Sequence, residues 1–247
     1  MNQIAEIETH GFTIINDVFS AQKIQQIISV VDNSGNINLN FRQDKSLFAI
    51  RNLLGEIPLL QTCLWVEKFA QIIDTILGPD YFVVRAIYFD KPPLSNWMVP
   101  WHQDLTIVVD RRKEVTGFRN WTIKNGANTV QPPFDYMNNI YTIRIHLDDC
   151  DETNGALKVI PASHKNILST ESINNAILDA PAICKVPSGG IMTMKPLLLH
   201  ASGKSTTNKN RRVIHLEFSS RTLPNGLHWF EKNPVNLLHE SACFEKG

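Results

Sequence analysis

The chain has 247 residues, 43% hydrophobic and 19% charged, the balance of an ordinary globular protein with surface enough to bury that no disulfide or metal staple is needed. Its 24 Lys and Arg offset its 24 Asp and Glu, so no charge excess recommends a nucleic-acid or anionic-membrane partner. No apolar run approaches the ~20 residues that span a bilayer.

In chain order, residues 10–18 (HGFTIINDV) read as a short strand. Ser20 caps a helix whose apolar residues Ile24, Ile27, Ile28 and Val31 recur at helical spacing. A second helical region runs from Leu53 to Leu77, interrupted near Pro58 and closed by Gly78-Pro79. From Tyr81 the character changes: YFVVRAIYFD is β-branched and aromatic, Lys91-Pro92-Pro93 breaks it, and WHQDLTIVV reads as the next strand. Residues 110–139 contain Gly117, Gly126, Pro132 and Pro133 and read as a long loop. YTIRIHLDD, ALKVIPASH, ICKVPSGGIMTMK and RRVIHLEFSS supply further strands. Short strands between turn signals predict a sandwich or barrel. The expected organisation is one domain over residues 1–247, with a partly helical flank at 1–80 and a β core at 81–220.

The cysteines, Cys63, Cys150, Cys184 and Cys243, stand singly without a CxxC pair, and the first residues lack the basic start and apolar run of a signal peptide. A reduced, cytoplasmic protein is expected. A small basic cluster, Lys204, Lys209, Arg211 and Arg212, is too limited for nucleic acid and of a size to hold one small anion.

The chemistry concentrates at His102–Gln103–Asp104. On a strand, residues i and i+2 share a face, which aims an imidazole and a carboxylate at one metal. A third ligand comes from His146, His164, His200, His215 or His228. His200 is favoured because it ends the apolar stretch LLLHAS. A turn from Gly203 to Asn210 followed by a returning strand then sets Arg211 beside it. Two His and one Asp leave three positions open on Fe(II), two for a chelating 2-oxo acid and one for O₂. The planar donors of Arg211 suit the acid's distal carboxylate, and Ser202 adds a hydroxyl. On the strand at 141–149, Thr142, Arg144 and His146 share a face, and Thr142 or Arg144 is expected to touch the co-substrate. His164 reads as architecture and His215 as a weaker candidate. Gln103, Trp101, Arg85, Trp97 and Trp121 are candidates for the substrate side, with the aromatic and polar segment 106–139 as lid and substrate wall.

The chain resembles the phytanoyl-CoA dioxygenase family of Fe(II)/2-oxoglutarate oxygenases from about Gly11 to about Ser220. The likeness rests on WHQDL at 101–105, RIHLDDCDETNGALKVIPASHK at 144–165 and LLLHASGKSTTNKNRRVIHLEF at 197–218. It implies a double-stranded β-helix, a jelly-roll, cupin-like barrel with flanking helices. It also implies iron on His102, Asp104 and His200, 2-oxoglutarate on Arg211, and hydroxylation of an unactivated C–H bond of a small molecule with release of succinate and CO₂. Halogenating relatives replace the carboxylate at the Asp104 position by a small residue, so Asp104 favours hydroxylation or desaturation. Two other readings stay open: a metal-dependent hydrolase or isomerase on a cupin-like barrel, and a non-catalytic barrel that binds a small acid. A monomer or homodimer is expected.

Overall fold

The computed structural model describes residues 2–34, 41–43 and 48–235; Cys243 lies outside them. The N-terminal flank comprises α1 (Gln3–His10), β1 (Phe12–Ile15), α2 (Ala21–Asp32), β2 (Phe41–Gln43), β3 (Phe48–Arg51), α3 (Leu53–Glu56), α4 (Leu60–Leu64) and α5 (Glu67–Ile76). Ser20 caps α2 as expected, its hydroxyl accepting from the Lys23 amide at 3.2 Å and satisfying one orphan donor of the first turn. The helix at α1 and the strands β2 and β3 were not legible in the sequence.

The β region follows: β4 (Phe82–Lys91), β5 (Val99–His102), β6 (Ile107–Val109), β7 (Arg119–Lys124), β8 (Ala127–Gln131), α6 (Phe134–Asn139), β9 (Tyr141–His146), β10 (Leu157–Val159), α7 (Thr170–Ala176), β11 (Ala182–Cys184), β12 (Ile191–Met194), β13 (His200–Ser202), β14 (Arg211–Ser219) and β15 (Asn233–Pro234). The major sheet runs β1-β12-β9-β14-β4-β3-β2, with β15 also on β4; a minor sheet runs β11-β10-β13-β5; a third runs β6-β8-β7. Major and minor sheets pack face to face, Leu157, Val159 and Cys184 of the minor sheet meeting Met192 and Met194 of β12.

The period-2 alternation of β14 decides what each face of the major sheet does. Ile214, Leu216 and Phe218 are fully buried and pack outward, with Ile143 and Ile145 of β9, against the apolar stripes of α2, α4 and α5. Arg211, His215 and Glu217 face inward and line a cavity of about 180 Å³ between the two sheets. On β4 the alternation is broken. Glu217 pairs with Arg85 but the next residue, Phe218, pairs with Val83, so Val84 is an inserted residue, a β-bulge. Val83 packs with the helices, Val84 joins a second cluster around Ile107, Val109 and Trp229, and Arg85, Ile87 and Phe89 line the cavity.

The bulge lies where β4 changes partners. β3 pairs with residues 87–90 and β15 with 82–83. The Ala86 amide falls in the gap and donates to the buried Glu231 carboxylate at 2.9 Å. Burial pushes the Glu231 pKa up to about 8.

Several expected elements differ. WHQDLTIVV is two strands, β5 and β6, in different sheets, separated by residues 103–106. ICKVPSGGIMTMK likewise splits into β11 of the minor sheet and β12 of the major one. Residues 110–139 are not a long loop: they hold the hairpin β7–β8 and α6, and β8 pairs with β6. The polar residues and glycines there serve an exposed two-stranded ribbon, whose turn carries Asn125 at φ 51 and Gly126 at φ 79. Among the described residues, no helix is long and apolar enough to cross a membrane, and Cys63, Cys150 and Cys184 are buried free thiols.

Candidate metal centre

His102 closes β5 and His200 opens β13, and the two are directly paired across the minor sheet. Asp104 lies beyond the end of β5, so the same-face argument of a single strand does not place it. Its backbone amide donates to the Pro196 carbonyl at 2.9 Å. Gln103 fixes the rest of the turn: its Nε2 donates to Leu197 O at 2.6 Å and Asn166 O at 2.8 Å, and its Oε1 accepts from the Leu168 amide at 2.8 Å. Gln103, expected on the substrate side, is thus buried and committed to backbone groups around the turn that carries Asp104.

The ligand atoms of His102, Asp104 and His200 all lie within 4.8 Å of one another. The Asp104 carboxylate oxygens are 3.7 Å from His102 Nε2 and 3.7 Å from His200 Nε2. Each imidazole is oriented by its other nitrogen. His102 Nδ1 is 2.8 Å from Pro100 O and His200 Nδ1 is 2.7 Å from Leu198 O. A carbonyl only accepts, so each Nδ1 carries the proton and each Nε2 lone pair points to the shared space. Burial pushes the His200 pKa down to about 4, which keeps it neutral and able to ligate. Burial raises the Asp104 pKa, but His200, His102, His215 and Arg85 together outweigh it and hold the group below its ordinary value.

Across the cavity, Arg211 is buried. Its Nη1 donates to Gly155 O and its Nε has no hydrogen-bond partner among the described residues. Gly155 is required there: it has φ +82, and a Cβ would meet the Gly203 carbonyl oxygen at 2.5 Å. Arg211 does not reach the cavity by a hairpin from His200. β13 pairs with β10 and β5, whereas β14 pairs with β4 and β9, so the two residues face each other from opposite sheets. The basic cluster divides as well. Lys204 and Lys209 are exposed, and Arg212 turns away from Arg211 to a two-pronged pair with Asp148 at 2.9 and 2.7 Å.

Of the other expected residues, Ser202, Arg144, Arg85 and Trp97 line the cavity with the triad and Arg211, and Thr142, Trp101 and Trp121 do not. Thr142 is buried without a hydroxyl partner among the described residues. Trp121 packs in the second apolar cluster with Phe118 and Tyr136, and the residues lining the cavity include none from 106–139. His164 is buried against Gly11, in keeping with an architectural role. Sequence reasoning underrated His215: with Glu217 it forms an inward relay. Arg144 Nη1 is 3.1 Å from His215 Nδ1, His215 Nε2 is 3.2 Å from Glu217 Oε1, and Arg85 Nη1 donates to the same oxygen at 3.0 Å. The signal was the alternation of Arg211, Val213, His215 and Glu217 along β14.

Residues 7–213 match the family model described as phytanoyl-CoA dioxygenase (PhyH). The chain belongs to the phytanoyl-CoA dioxygenase family. Curated relatives include the ectoine dioxygenase of Bordetella bronchiseptica, 20% identical over 176 residues (68% of this chain, 50% of the relative). Another is the peroxisomal phytanoyl-CoA dioxygenase of Rattus norvegicus, 21% identical over 237 residues (87% and 57%). The chain spans about half the length of the curated relatives it matches. Among solved structures, EctD from S. alaskensis with 2-oxoglutarate and 5-hydroxyectoine superposes with a TM-score of 0.66 at 15% identity, over 88% of this chain and 74% of that one. HygX from Streptomyces hygroscopicus with nickel, 2-oxoglutarate and hygromycin B gives 0.62 at 15%, over 88% and 86%. At these identities the likeness is one of fold: mainly β, with flanking helices.

Proposed function

We propose that the protein is an Fe(II)- and 2-oxoglutarate-dependent dioxygenase that hydroxylates an unactivated C–H bond of a small molecule, with release of succinate and CO₂. The two facing sheets are read as the halves of a double-stranded β-helix within one domain. The observation that carries the reading is a pair of features in one cavity: two imidazoles and a carboxylate converging from the minor sheet, and a buried guanidinium without a carboxylate partner among the described residues on the major sheet.

The residues fit the implied groups. His102 and His200, each oriented through Nδ1 by a backbone carbonyl, form with Asp104 a two-His, one-carboxylate face of the kind that holds Fe(II) and leaves neighbouring positions open. The orphaned Arg211 Nε, with the Ser202 hydroxyl nearby, suits the distal carboxylate of a 2-oxo diacid. Iron chelated by the 2-oxo acid supplies O₂ activation and oxidising power. The protein's part is placement. Carbonyls 100 and 198 fix the imidazole tautomers, Gln103 holds the Asp104 turn, Arg211 sets the co-substrate's direction, and Ile87, Phe89, Val99 and Leu157 wall off water. A hydrolase or isomerase using the same triad has no use for Arg211.

Anaerobic addition of Fe(II) and 2-oxoglutarate to the protein should produce the weak visible metal-to-ligand charge-transfer band of a chelated 2-oxo acid. The band should vanish in His102→Ala, and Asp104→Ala should lose substrate-linked succinate release. A wild-type protein without the band, or variants that keep substrate-linked succinate release, would contradict the assignment.

A further inference from the structure

We propose that the primary substrate carries a carboxylate and that Arg144 is its anchor; the proposal rests on the oxygenase reading above and names the substrate class of that site. Arg144 projects from β9 into the cavity and is 8% exposed. Its Nη1 is tied to His215, and its Nε has no hydrogen-bond partner among the described residues. A buried cation with an orphaned donor is costly unless a ligand supplies the missing anion.

The relay fixes which way Arg144 presents that donor. Arginine only donates, so His215 Nδ1 accepts and His215 Nε2 must carry the proton that goes to Glu217. Glu217 is in turn neutralised by Arg85. The Arg85–Glu217 pair is closed, and His215 is a neutral spacer whose pKa burial keeps low. Arg144 is held in place by a neutral group and forms no ion pair among the described residues, the Asp104 carboxylate in its field belonging to the ligand triad. Burial and the nearby Arg211 lower its pKa to about 10, which still leaves it charged at neutral pH.

The co-substrate does not balance it. A doubly negative 2-oxo diacid together with Asp104 offsets a divalent metal and Arg211, and one positive charge remains. The two guanidiniums are also committed to different places. Arg144 pairs opposite His215, four residues along β14 from Arg211, and is tied to His215, whereas Arg211 is anchored to Gly155. Lys91 is buried beside them, but its ammonium donates to the Trp97 and Gly203 carbonyls and does not line the cavity. Ile87, Phe89 and Trp97 supply an apolar wall, so the matching ligand is an organic acid with an apolar body. This assigns Arg144, expected from the sequence on the co-substrate side, to the substrate.

The test uses the full-length protein with Fe(II) and saturating 2-oxoglutarate under anaerobic conditions, read by thermal shift. The probes are octanoate, phenylacetate and N-acetyl-leucine, each beside its primary amide. The expected result is that at least one acid raises Tm and its amide does not. In Arg144→Gln the acid's apparent Kd should rise about tenfold or more, as for a lost buried charge contact. Half-saturation of the charge-transfer band by 2-oxoglutarate should stay unchanged. Arg144→Lys, which keeps the charge and loses the fork, should fall between the two, and it carries the comparison if the Gln variant does not fold. Acids and amides that bind alike, no acid that binds, or a variant that weakens 2-oxoglutarate instead of the acid would overturn the proposal. With the wild-type band intact, such a failure sinks this inference alone. A wild-type protein without the band sinks the oxygenase reading beneath it.

Discussion

The two walls of the cavity are built differently. The minor sheet contributes strands of three or four residues, too short to fix side chains by ladder pairing alone. It therefore places its imidazoles with backbone carbonyls and its carboxylate with the Gln103 tether. The major sheet contributes β4, β9 and β14, ten, six and nine residues long, backed by the helices, and places Arg85, Arg144, Arg211 and Glu217 by alternation. One wall is specified by local hydrogen bonds and the other by periodicity. Damage to the first should strike the metal, and damage to the second should strike organic ligands or the fold.

The largest expected effect is on the first wall: His200→Ala should abolish substrate-linked succinate formation and Fe(II) binding, measured by coupled assay and by the charge-transfer band. Turnover near the wild-type level would erase the contrast. Next is Arg211→Ala on the second wall. Loss of a buried charge contact of about 2 kcal/mol or more should raise the 2-oxoglutarate KM at least ~30-fold, while metal affinity, titrated without the co-substrate, stays put. Gln103→Ala should weaken Fe(II) about tenfold or more, as for other supports behind metal ligands; an unchanged titration would show that the turn holds itself. Leu216→Ala, on the outer face of β14, should cost about 2–5 kcal/mol in chemical denaturation and leave the metal titration of the folded protein unaltered.

The smallest effect concerns pH. His146 is buried beside Arg144 and Arg211, and burial first, then those charges, hold its pKa well below 6.5. In the unfolded chain it titrates near 6.5. Below that pH the unfolded state takes up a proton that the native state refuses, so stability present above pH 6.5 declines on acidification. The metal-free protein should lose Tm between about pH 7 and pH 5, and His146→Leu should flatten part of that slope. Equal slopes for the two proteins would remove His146 as a cause.

Legibility followed the same division. α2 and β14 could be read directly because 3.6- and 2-residue periods are written in their apolar residues. His102, Asp104 and His200 do cluster, but the same-strand premise does not hold, since Asp104 lies beyond the end of β5. The facing of His200 and Arg211 was anticipated as a hairpin and arises instead from two opposed sheets, a long-range pairing that spacing cannot reveal. Tethers such as Gln103 and Glu231 were invisible, because a side chain that binds a distant backbone group leaves no local pattern. The exposed ribbon at 119–131 was missed because its strands bury little and so carry little apolar signal.

The inserted Val84 has a consequence of its own. It acts as a frameshift in the sheet's two-letter code: before it one parity of β4 faces the helices, and after it the other parity does. Removing that single residue would join Val83 to Arg85 in unbroken alternation, so Arg85, Ile87 and Phe89 would keep the cavity face and Ala86 and Tyr88 the helix face. Substitutions at 85, 87 and 89 respecify what the cavity holds, whereas a deletion at 84 keeps that wall and takes an apolar side chain from the cluster around Ile107, Val109 and Trp229.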